Sequence, residues 1–122
     1  MTSGEQFAVL DLEPLMQAFG EFGDDVLDTL ELFLTSTWPL LETVESLLVA
    51  EDLNGAGEAA HSIKGSANVS GAFRLGHLCA AVEVAALRHR DIVAARAAAA
   101  ALPAAFAEVK AEIERVTAKA HP

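Results

Sequence analysis

Cysteine occurs once in this chain of 122 residues, at position 79, so no internal disulfide can form and a reducing compartment fits. Basic side chains are missing from the entire first half. Residues 1–63 hold thirteen Asp and Glu and no Lys or Arg, whereas residues 64–122 hold five acidic and eight basic residues. A polyanion is repelled by that first half, which argues against nucleic acid as a partner. Uncharged apolar runs fall short of the ~20 residues that span a bilayer. Met1–Glu5 also lack the basic start of a secretory signal, so no membrane attachment and a cytoplasmic location are expected. Alternating apolar and polar residues, the mark of a half-buried strand, are absent throughout.

Further absences narrow the chemistry. His61, His77, His89 and His121 are too scattered to form a ligand set, and no H-E-x-x-H occurs, so no metal is expected. Lys64-Gly65-Ser66 lacks the preceding glycine and strand of a phosphate-binding loop. A serine nucleophile needs a strained elbow that a continuous helix does not provide.

What is present is a helical apolar period along nearly the whole chain, at 52% hydrophobic composition. Asp11 is the expected N-cap of a short helix through Phe19, with Pro14 in its first turn and Gly20 as its stop. A second helix opens at Asp24 or Asp25 and places Val26, Leu30, Phe33, Thr37, Leu41, Val44 and Leu48 on one face; Pro39 is expected to kink it or end it early. Asp52 or Asn54 begins a third, with Ala56, Ala60, Ile63 and Ala67 inward, ending near Ser70-Gly71. A fourth runs from Phe73 to His89 with Leu75, Leu78, Val82 and Ala86 inward. Asp91 caps a last one whose stripe from Ile92 to Val116 stays in phase past Pro103, which is expected to bend it without ending it. Short joints place successive helices antiparallel. The expectation is one all-α domain over residues 1–122: an antiparallel up-down four-helix bundle with a short extra N-terminal helix as a lid, closing within one chain as a monomer.

One surface of the third helix carries the functional signal. Lys64 and Gly65 follow His61 by three and four residues, so all three share a face. A mid-helix glycine costs roughly 0.5–1 kcal/mol relative to alanine, and here it opens space beside an imidazole. Ala72, at the turn into the fourth helix, lies eleven residues from both His61 and Glu83, which sets the glutamate level with the histidine. A carboxylate there can accept from Nδ1–H, fix the tautomer and leave Nε2 facing outward. Gly57, one turn before His61, either widens this surface or marks a late helix start. Cys79 reads as a small core filler. The cations Lys64, Arg74 and Arg88 suit a partner with an acidic site or are solvated surface.

The run Ala60-His61-Ser62-Ile63-Lys64-Gly65 through Gly71, Leu75, Cys79 and Glu83 resembles the histidine-containing phosphotransfer (HPt) domains of phosphorelays and the related domain of chemotaxis kinases. It departs only conservatively, with Ile63 and Val82 where leucine is usual. The resemblance implies that His61 accepts a phosphoryl group from the phospho-aspartate of one response-regulator receiver domain and donates it to the aspartate of another. Lys64 would neutralise phosphate charge, Glu83 would orient the ring, and Gly65 would clear room for the incoming aspartyl phosphate. Gly57, Gly65, Asn68, Arg74, Ala80 and Val84 would form the docking face. The receiver would supply Mg²⁺, so this chain is expected to bind no cofactor and to be a carrier rather than an enzyme. Receiver domains and a hybrid histidine kinase are the expected partners. With no nucleotide-binding region in the sequence, a free-standing shuttle that does not autophosphorylate is expected. A helical adaptor that is never phosphorylated is the alternative.

Overall fold

A computed structural model describes residues 5–121, which contain helices and no strand. Helix α1 spans Glu13–Phe19, α2 Asp24–Val49, α3 Leu53–Ser70, α4 Phe73–Glu83, α5 Ile92–Ala99 and α6 Leu102–Ala120. Between α4 and α5 the last turn, Val84–Arg88, opens to π-helical geometry.

The helix ends follow from side-chain chemistry. The Asp52 carboxylate accepts from the Gly55 amide at 2.9 Å and that of Asp91 from the Ala94 amide at 3.0 Å, each satisfying a donor the first turn leaves free. Asp11, expected as the N-cap of α1, lies one residue before the actual N-cap Leu12 and accepts from the Glu13 amide at 2.9 Å. Gly20 and Gly71 close α1 and α3 in left-handed conformations, φ 85° and 86°.

At two prolines the helix boundary differs from the expected one. α2 runs unbroken through Pro39, whose ring lies on the exposed side while Phe33, Thr37, Leu41 and Val44 are buried before and after it. That continuous packing outweighs one lost hydrogen bond. The helix expected from Ile92 onward is instead two, because Ala100 and Ala101 form a turn and Pro103 opens α6 in its first turn. Without an N–H, Pro103 cannot bond the carbonyl four residues earlier, and its ring crowds that carbonyl.

α3 packs between α2 and α4, α4 packs also on α5 and α6, and α6 returns to α2. Leu30, Ile63, Leu75, Val82 and Ile113 meet in the centre at 1% exposure or less. Each buried aliphatic side chain of this size stabilises by roughly 1.5–3 kcal/mol. Leu15 of α1 is buried where that helix meets α2 and α3. Within the alanine-rich stretch Ile92–Ala120 a window of 18 residues, of mean hydropathy 1.5, is long and apolar enough to cross a membrane by length and composition; 28% of it is buried in the fold. In the fold its stripe Ala95, Leu102, Phe106, Val109 and Ile113 is buried in the core.

Candidate functional site

The α3–α4 hairpin builds the site. Gly71 at the turn is tightly held: a Cβ there would stand 1.7 Å from the Asp11 carbonyl oxygen, and the Asp11 amide donates to the Gly71 carbonyl at 2.9 Å. Further along, a Cβ on Gly76 would crowd only the end of the exposed Asn68 side chain, with Ala67 Cβ at an ordinary 3.7 Å. Ala60, Ile63 and Ala67 on one helix and Val82 and Cys79 on the other point inward, and this phase fixes what the flanking residues do.

His61, one step round α3 from Ala60, therefore stands at the edge of the core with its side chain 63% exposed. Its Nδ1 lies 2.8 Å from Glu83 Oε2, and Lys64 Nζ donates to Glu83 Oε1 at 2.7 Å. An ionised carboxylate only accepts, so the shared proton sits on Nδ1, and most of the ring is left open to water. The Lys64 ammonium holds the Glu83 carboxyl below its ordinary value; partial burial opposes this, and the His61 bond adds to it. Glu83 and Lys64 are 21% and 29% exposed, which places their pairing between fully solvated and buried.

The bridge from Lys64 to Glu83 is absent from the height argument, which sets Lys64 level with Ala80. The four-carbon lysine stem spans the remaining turn. Gly65 is exposed, and a Cβ added to it would meet nothing within 4 Å, so it serves no helix contact within this chain. Ala80 is half-buried, Val84 is 38% exposed, and Asn68 is exposed two turns beyond His61.

Two residues expected on the docking face are elsewhere engaged. Gly57 is buried, and its Cβ would lie 2.4 Å from Leu87 Cγ; it admits the π-helical turn against α3 rather than widening a surface. Arg74 donates to the carbonyls of Phe7 at 3.1 Å and Glu5 at 3.2 Å and faces Glu108 at 3.5 Å. Nine residues separate it from Glu83, half a revolution round the helix, so the two side chains leave α4 on opposite sides. Cys79 is buried among apolar neighbours, which pushes its thiol up to about 12, an inert value. Sequence reasoning missed Gly76 and Leu87. Gly76 meets closely only a movable side-chain tip, and Leu87 had no signal because the π-helical turn rephases it.

The hairpin thus presents a largely exposed imidazole with one nitrogen fixed by a carboxylate and an ammonium alongside. Residues 28–118 match the family model described as the Hpt domain, and the chain belongs to that family. Membership ties it to phosphotransfer in two-component phosphorelays. Comparison with curated proteins and with solved structures gave no match.

Proposed function

We propose that His61 is the phosphoryl-accepting residue of a phosphorelay carrier, taking the group from the phospho-aspartate of one receiver domain and passing it to the aspartate of another. The observation that carries this reading is the exposed imidazole with Nδ1 held at 2.8 Å by Glu83. In the transfer the aspartyl O–P bond breaks as the Nε2–P bond forms, while Nδ1–H stays on Glu83. Lys64 sits one turn away, where its ammonium can swing from Glu83 to the incoming phosphoryl oxygens. The open space over Gly65 fits close approach by a partner, with Asn68, Ala80 and Val84 around it. Positioning and charge neutralisation are most of what phosphoryl transfer demands, so this chain acts as carrier while the receiver brings Mg²⁺ and the remaining groups. The ring of packed helices supports an antiparallel four-helix bundle with α1 as an extra element, working as a cytoplasmic monomer between a hybrid histidine kinase and a response regulator.

Incubation with a phosphorylated receiver tests the reading. The wild-type chain should gain an acid-labile, alkali-stable label that His61→Gln lacks, and Gly65→Arg should fold normally yet gain label at least tenfold more slowly. An unlabelled wild-type chain, or a label that survives His61→Gln, overturns the assignment and favours an adaptor.

A further inference from the structure

A second face of the molecule contains no residue of α3 or α4. Along α2, the residues one step beyond each core position form their own stripe: Glu31, Leu34, Trp38, Glu42, Glu45 and Val49. They line one wall of a furrow against α5 and α6, made of two adjoining hollows of about 540 and 780 Å³ that both border Trp38 and Pro103. The furrow exists because the facing wall is built from small residues, among them Ala99, Ala100 and Ala107, with the α5–α6 break opposite Trp38. Its floor is apolar: Trp38 is 45% exposed as a residue, and its ring lies 5.4 Å from that of Phe106. From Glu31 to Val49 it runs about 27 Å, five turns of helix.

The charges on its rim select the occupant. Glu31, Glu42, Glu45 and Glu114 line the furrow, and among the described residues none of them pairs with a cation. Of the two basic residues there, Arg96 already spends its guanidinium on the Leu48 carbonyl, at 2.8 Å, leaving Lys110 alone. A second copy of this chain would bring the same acidic rim against itself, and an anionic lipid surface would be repelled. We propose that the furrow is a docking site for an amphipathic helix of a partner protein, with apolar residues seated on Trp38, Pro103 and Phe106 and lysines or arginines along its flanks. It lies apart from the His61 surface, so both can be occupied together and neither assignment rests on the other.

Trp38 is the chain's single tryptophan and reports occupancy directly. Titration of the full chain with a synthetic 18-residue leucine–lysine amphipathic helix should shift Trp38 emission to the blue with saturation. A lysine–serine peptide of equal charge should leave it unchanged. Glu42→Lys/Glu45→Lys should weaken the leucine–lysine helix at least tenfold, whereas Glu21→Lys/Glu58→Lys, with the same change in net charge outside the furrow, should leave affinity within twofold. His61→Gln should bind as wild type. Equal weakening by the two charge-reversed variants, or binding with no change at Trp38, overturns the proposal. So does concentration-dependent dimerisation that itself shifts Trp38, or a preference for vesicles containing phosphatidylserine over the peptide.

Discussion

Glu83 has two oxygens and gives each to a different neighbour, His61 and Lys64. Its carboxyl is held below the usual value of 4.5, chiefly by the Lys64 bond. The pairing therefore contributes stability that is complete at neutral pH, above the unfolded-state value, and is lost as pH falls through the lowered folded-state value. Urea unfolding of the wild type and Glu83→Gln, compared from roughly pH 7 down to 3, should show a stability gap that is constant near neutrality and closes on the acid side. A gap unchanged at the acid end would show that Glu83 acts by shape rather than charge. At this scale the sequence was legible where spacing alone decides: equal distance from Ala72 sets Glu83 opposite His61. It misled at Gly57 and Arg74, because distance along a helix says nothing of azimuth. Half a revolution turns Arg74 towards Phe7 and Glu5.

The elements themselves were largely readable, since Asp52, Asp91, Gly20 and Gly71 each start or stop a helix by local chemistry. The prolines were not. Whether a helix survives one depends on what its other face is packed against, and that partner is distant in sequence: α2 is gripped on both sides of Pro39, while the alanines before Pro103 offer little to hold α5 and α6 in line. The π-helical turn was also invisible, being a change of phase within an apolar run. Gly71 is the element-scale feature with the sharpest expected consequence. A non-glycine residue in the left-handed region costs roughly 1–2 kcal/mol, and here a methyl would also overlap the Asp11 carbonyl. Gly71→Ala should lower stability by well over about 1 kcal/mol in denaturant unfolding. An Ala variant as stable as wild type would mean that the α3–α4 turn relaxes freely.

Across the whole molecule the helical class followed from periodicity. Short joints also led to the expectation that the last helix returns to the second, and α6 does pack on α2; the break that makes α5 a separate helix was not legible. The formal charge of −10 is concentrated towards the first half, where α2 carries Asp24, Asp25, Asp28, Glu31, Glu42 and Glu45 without a single cation. Self-repulsion of that kind is relieved by salt, so the thermal midpoint should rise between about 0.01 and 0.3 M NaCl. A falling midpoint would mean that attractive pairs such as Arg74–Glu108 dominate instead. Against this anionic background the His61 hairpin stands out, because the charges of Lys64 and Glu83 cancel. On the proposed reading the site is an electrically quiet island, and capture there would be governed by surface fit at short range more than by long-range attraction.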